Sequence, residues 1–221
     1  MYGVEALLRW HNTDGLVFTN EEVIPVAEES GLMVPIGAWI MEAAFKQYCA
    51  WKKFKDKKIK LSINVSPRQI EREDFFIKTQ ELLNKYHIDP NAIIFEITET
   101  AIVKNIDRVR DTLVKLRDLG CQIYIDDFGE GHSSLNLLRS LPLAGLKIDK
   151  SFVERLGQDS KNARLIQLIF SLAEYLNYII VTEGLENEEQ LQFVKSFANH
   201  QKGQGFYLQH PVTPEEIEKL L

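Results

Sequence analysis

A chain of 221 residues with 45% apolar residues can bury a sizeable core, and its length suits a single α/β barrel. Its formal net charge of −6 argues against a polymeric nucleic-acid partner, which demands a cationic surface. An anionic small substrate stays open, because bound divalent cations reverse the sign locally.

Cys49 and Cys121 lie far apart without metal-type spacing and read as reduced thiols of a cytoplasmic protein. No apolar run approaches the ~20 residues of a membrane helix; Met33–Met41 is broken by Pro35 and Gly37. No membrane contact is therefore expected of these residues, although a longer parent protein could carry an anchor.

In chain order, the first β-prone run is Val4–Trp10, beginning almost at Met1. Thr19-Asn-Glu-Glu22 then reads as a capping box opening a helix that Gly31 would close. Further short runs follow at Ile59–Val65, Ala92–Ile97, Gln122–Ile125, Gly145–Ile148 and Tyr178–Thr182, with a weaker one at Gly205–Leu208. Helical spacing recurs between them in Ile106, Val109, Leu113 and Leu116, and again in Leu165, Leu168, Leu172 and Leu176. Both stripes read as packing faces. Thr213-Pro-Glu-Glu216 opens a last helix with a cap followed by proline. Alternating β and α elements imply parallel strands covered by helices, and a closed barrel of this kind has eight strands. The expected fold is a TIM-like (β/α) barrel lacking its first N-terminal strand, with one domain over residues 1–221.

Acidic and amide residues gather at the strand ends. Glu5 lies in the first run, Asn64 and Glu96 near the ends of the next two, and Asp126 with Asp127 just after Ile125. Lys147 and Asp149 mark the next end, and Glu183 follows Thr182. Any one of these could simply cap a helix or face solvent. Converging on the C-terminal face of a parallel barrel, however, clustered carboxylates repel unless cations neutralise them. Oxygen donors of this type suit Mg²⁺ or Mn²⁺, and no His/Cys spacing suggests zinc. Adjacent Asp126 and Asp127 can serve two metals, one carboxylate bridging. Lys147 either polarises an attacking water or is merely paired to a carboxylate.

These residues resemble the EAL phosphodiesterase family over nearly the whole chain. Glu5-Ala-Leu7 with Arg9 and Trp10 comes first, then Asn64-Val-Ser66 and Glu96-Ile-Thr-Glu99. Asp126-Asp-Phe-Gly129, Lys147-Ile-Asp149, Glu183-Gly-Leu-Glu186 and Gln204-Gly205 follow in the family's order. The resemblance implies hydrolysis of one phosphodiester bond of cyclic di-GMP to linear pGpG with two Mg²⁺ or Mn²⁺ ions. Glu5, Asn64, Glu96 and Asp126 would hold the first ion, and Asp126 with Asp127 the second. Glu183 would lie near the metal–water cluster, Lys147 would orient the nucleophilic water, and Gln204 would support the site. Arg9 and the backbone after Leu7 would contact phosphate. Glu99 and Glu186 would serve loop or regulatory roles, with Ser133 and Ser134 offering hydroxyls to Glu99, unless Glu99 merely caps its turn. A homodimer is implied, as are sensory or cyclase domains fused in the parent protein.

Glu130, His132, Gln201 and the pair Gln209-His210 depart from the family's usual residues, which bears on substrate affinity more than on metal binding. The main rival is a catalytically silent cyclic di-GMP receptor. Such receptors typically lack a metal ligand, and here every expected position carries a competent side chain. A third reading is a barrel that only scaffolds a partner.

Overall fold

Strand and helix alternate along the chain in the order the sequence predicts. The computed structural model describes residues 1–11, 17–51, 59–99, 106–129, 135–154, 156, 160–197 and 201–220. Backbone contacts group them into two compact units, Met1–Ile97 with Lys104–Gln122, and Thr98–Val103 with Ile123–Leu221.

In the first unit β1 (Gly3–Ala6) is followed by the two-residue strands β2 (Trp10–His11) and β3 (Val17–Phe18). Helices α1 (Asn20–Glu29) and α2 (Met33–Ala50) lead to β4 (Lys60–Asn64). The short α3 (Pro67–Ile70), then α4 (Asp74–Tyr86), β5 (Ile93–Thr98) and α5 (Ile106–Leu119) complete it. β1, β4 and β5 pair in parallel in that order, and β2 and β3 form a separate antiparallel ribbon. The expected Val4–Trp10 strand is thus cut after Ala6, because Trp10 pairs with Phe18 instead. α1 starts where its capping box places it: Glu22 N donates to the Thr19 hydroxyl, and the Glu22 carboxylate accepts from Thr19 N at 2.9 Å. It ends at Ser30, with Gly31 turning the chain at φ 76°. Val109, Leu113 and Leu116 are buried, as their spacing predicts.

The second unit runs through β6 (Gln122–Phe128), α6 (Leu135–Ser140), β7 (Gly145–Ile148), α7 (Lys150–Glu154) and α8 (Ser160–Tyr175). It continues with β8 (Ile179–Thr182), α9 (Glu188–Lys195), β9 (Gln201–Gly203) and α10 (Pro214–Leu220). β6, β7, β8 and β9 are parallel neighbours in that order. β5 and β7 are buried almost end to end, as strands covered on both faces must be.

Two expectations are corrected here. The strand expected at Gly205–Leu208 is a turn, closed by Leu208 N and Gln209 N donating to Gly205 O. A Cβ at Gly205 would lie 2.2 Å from Leu185 O, so only glycine lets the chain pass this close to Leu185. The pairing strand is Gln201–Gly203, whose polar sequence carries no β signal. On α8 the buried stripe is Ile166, Ile169, Phe170 and Ala173, while Leu165 and Leu168 are 46% and 66% exposed. Two apolar stripes one residue apart satisfy the same spacing, and the leucine stripe starts outward and becomes only half-buried at Leu172 and Leu176.

No helix among the described residues is long and apolar enough to cross a membrane.

Candidate metal centre

In the second unit the key geometry is an irregularity in β6. Ile125 pairs with Leu146 and Phe128 with Ile148, so Asp126 and Asp127 together oppose Lys147. This is a β-bulge, with Asp127 in the left-handed region at φ 52°, a conformation aspartate tolerates better than most residues. In a regular strand adjacent side chains point to opposite faces. The bulge lets both acids reach one place.

That place is closed by β8. Lys147 pairs with Val181, so Glu183, two residues further, emerges on the same face. Carboxylate oxygens of Asp126, Asp127 and Glu183 all lie within 4.8 Å of one another. Lys147 Nζ sits 3.1 Å from Asp126 Oδ1 and 2.8 Å from Glu183 Oε1, with its side chain 2% exposed. Among the described residues the cluster sets three carboxylates against this ammonium, an excess of negative charge in a largely buried place. An all-oxygen donor set with that excess fits a hard divalent cation and offers nothing to a thiophilic one.

Around this cluster, Asp149 accepts from Ser151 N at 2.8 Å and so caps α7. Gln204 N donates to Thr182 O, and Gln204 O accepts from Leu185 N, stitching its backbone beside the end of β8. Glu186 N donates to Gln190 Oε1 at 2.7 Å, while the Glu186 side chain is exposed. Glu99 does more than cap a local turn: its Oε2 accepts from Gly129 N, thirty residues away, at 3.1 Å. Glu99 is buried, and its Oε1 has no hydrogen-bond partner among the described residues. Ser133, Ser134, Glu130 and His132 lie outside the described residues.

In the first unit the other acidic and amide residues that the sequence singles out stand on regular strands. The register places Asn64 level with Glu96 on β5, and Asn64 Nδ2 donates to Glu5 Oε1 at 2.7 Å. That bond engages the amide nitrogen and leaves the carbonyl oxygen as the acceptor end of the same side chain. Glu96 is buried. Leu7 and Arg9 are exposed where the chain leaves β1, and Arg9 Nη1 donates to Leu8 O at 2.9 Å.

Sequence reading missed the supports. Ser66-Pro-Arg-Gln69 and Asn187-Glu-Glu-Gln190 are both capping boxes in the structure, and each starts just beyond a strand-end acid or amide. The N-cap-x-x-Gln spacing was the available signal.

The EAL domain family model matches residues 1–211. A protein named cyclic di-GMP phosphodiesterase from Pseudomonas aeruginosa is 34% identical over 219 residues, covering 99% of this chain and 37% of that protein. Signaling protein YkoW of Bacillus subtilis is 37% identical over 100% of this chain and 27% of its own length. The chain thus spans well under half of these relatives. The solved structure of PaMucR phosphodiesterase in complex with c-di-GMP is 34% identical with a TM-score of 0.91, over 98% of this chain and 87% of that one. This likeness bears out the expected TIM-like (β/α) fold, with seven parallel strands among the described residues where a closed barrel has eight. Ordered motifs, fold and family match agree: the chain belongs to the EAL domain family.

Proposed function

We propose that this chain is a metal-dependent phosphodiesterase that opens cyclic di-GMP to linear pGpG. The observation that carries the reading is the Asp126–Asp127–Glu183 carboxylate cluster closed around the buried Lys147. Relatives named as cyclic di-GMP phosphodiesterases and a c-di-GMP-bound structural neighbour support the substrate.

Two Mg²⁺ or Mn²⁺ ions, when bound, supply phosphate charge neutralisation and a more acidic water. Glu5, Asn64, Glu96 and Asp126 are proposed to hold the first ion, and Asp126 with Asp127 the second. Lys147 orients the water for in-line attack through the ammonium it already aims at two carboxylates. Glu183 holds Lys147 in place and accepts from the same water, and Gln204 supports the β8 end. Arg9 and the backbone after Leu7 take the substrate phosphate. Glu99, anchored on Gly129, ties the segment after β6 to the end of β5. Glu186 stands at the loop that Gln190 braces.

A homodimer is part of the proposal, supported by the outward Leu165, Leu168 and Tyr175 of α8. In the parent protein this unit would act beside sensory or cyclase domains, as in a Pseudomonas aeruginosa relative named as a bifunctional cyclase and phosphodiesterase.

The test is incubation with cyclic di-GMP and Mg²⁺ or Mn²⁺, followed by chromatography for pGpG. Turnover is expected, and Glu5→Ala should lower it at least ~10²-fold, the scale of losing a transition-state stabiliser. Tight nucleotide binding without product would make the chain a silent receptor instead.

A further inference from the structure

Past the end of β4 lies a polar scaffold that the proposed metal donors do not include. Ser66, two residues beyond Asn64, is buried, and its hydroxyl donates to Glu28 Oε1 on α1 at 2.6 Å. The same oxygen accepts from Arg68 N at 3.2 Å, and Ser66 N donates to Gln69 Oε1 at 3.1 Å. Between Asn64 and Ser66, Val65 N donates to Glu96 O at 2.9 Å. Gly37 of α2 presses on the far side: a Cβ there would come within 2.0 Å of the Gln69 carboxamide.

A serine hydroxyl has one proton. Here it goes to Glu28, and the lone pairs serve the cap of α3. The direction of the chain of bonds is therefore fixed, and Glu28 must accept. A carboxylate acceptor makes this a charge-assisted bond, stronger than the neutral contacts beside it. It also joins elements 38 residues apart in sequence, whereas the other Ser66 bonds are local. Asn64 itself is exposed and leans on Glu5, so the backbone of residues 64–66 sets where its amide points. We propose that Glu28 is a positioning residue: through Ser66 it holds the β4–α3 turn, and so the Asn64–Glu5 pair, in the geometry that binds a divalent cation. This rests on the proposed metal-dependent reading and deepens it. Partners one bond removed from a ligand commonly govern affinity in this way.

The experiment compares Glu28→Met, which keeps an unbranched chain but no acceptor, with Glu28→Gln, which keeps an amide oxygen for Ser66. Mn²⁺ binding to the 221-residue chain is followed by electron paramagnetic resonance of the free ion, alongside metal-free melting and pGpG formation. Glu28→Met should weaken Mn²⁺ binding about 10- to 100-fold and lower kcat/KM alongside, with Glu28→Gln restoring most of both. Wild-type Mn²⁺ affinity in a folded Glu28→Met overturns the proposal, even if its melting temperature falls. A Glu28→Gln as weak as Glu28→Met overturns the acceptor role. Should Glu28→Met not fold, Ser66→Ala replaces it, and unchanged affinity there is equally fatal. A wild-type chain that binds Mn²⁺ but makes no pGpG ends the hydrolase reading while the affinities still judge Glu28. One that binds no Mn²⁺ ends both.

Discussion

The two units present their candidate donors by different means. In the first, Asn64 and Glu96 are neighbours because β4 and β5 are in regular register, and Glu5 is added by a hydrogen bond to the Asn64 amide. In the second, Asp126, Asp127 and Glu183 meet because β6 breaks its register with a bulge and a left-handed aspartate. A regular strand sends adjacent side chains to opposite faces. Bringing the neighbours Asp126 and Asp127 to one place takes the distortion, and Lys147 supplies a counter-charge. The second set is held by ion pairs to a buried ammonium, and the first shows a neutral amide donating to a carboxylate.

The sharpest way to break this contrast is Lys147→Ala. Removing this ammonium takes from Asp126 and Glu183 the cation that both contact, a loss on the order of 3–5 kcal/mol for a broken buried ion pair. Urea unfolding in chelator should show that loss, and added Mn²⁺ should recover part of it by replacing the missing charge. Glu5→Ala in the first set should cost far less stability, because Glu5 is half exposed and the bond from Asn64 comes from a neutral amide. Equal losses in the two variants would erase the distinction.

Gly37→Ala tests the supports of the first set. The new methyl must displace Gln69, whose carboxamide closes the Ser66 capping box, so overpacking should cost about 1–3 kcal/mol. Thermal melting reads it directly. An unchanged melting temperature would mean that Gln69 moves aside without consequence, and the scaffold behind Asn64 would be looser than drawn.

The strand-end acids were legible in the sequence because a parallel α/β pattern sends every strand's C-terminal end to one face. What was illegible was how far each strand runs. Gln122–Ile125 read as ending before the acids, yet β6 carries them inside it to Phe128, because a bulge has no composition of its own. β9 was misplaced by a few residues for the opposite reason. Gln201–Gly203 joins the sheet by pairing with β8 despite its polar sequence, while the apolar Phe206, Tyr207 and Leu208 are exposed on a turn. The α8 stripe failed because spacing fixes a helix's period but not which of two adjacent apolar stripes faces inward.

A pH experiment sharpens the same contrast from the first unit's side. Burial pushes the Cys121 thiol up to about 12 from an ordinary value of 9.0. Its neutral form is favoured by the fold, so its contribution is fully present below pH 9 and is lost as pH rises toward 12. At a pH 1.5 units above the ordinary value the loss should be about 2 kcal/mol relative to a Cys121→Ala reference. Parallel urea titrations of the two proteins at pH 8 and 10.5 measure it, and no divergence between them would mean that the thiolate finds solvent in the native state.

The smallest effect should be a gain. Thr182 ends β8 immediately before Glu183; its side chain is fully buried, and its hydroxyl has no hydrogen-bond partner among the described residues. It pairs with Ile148, whose neighbour Lys147 belongs to the carboxylate face, so alternation sends Thr182 to the opposite, apolar face. A buried hydroxyl without a partner keeps its desolvation cost, and valine has nearly the same shape without that cost. Thr182→Val should therefore raise stability by about 1 kcal/mol while leaving Glu183 and Lys147 where they are. A rise in melting temperature with unchanged Mn²⁺ affinity is the expected result. A fall would reveal that the hydroxyl finds a partner on its own face of β8.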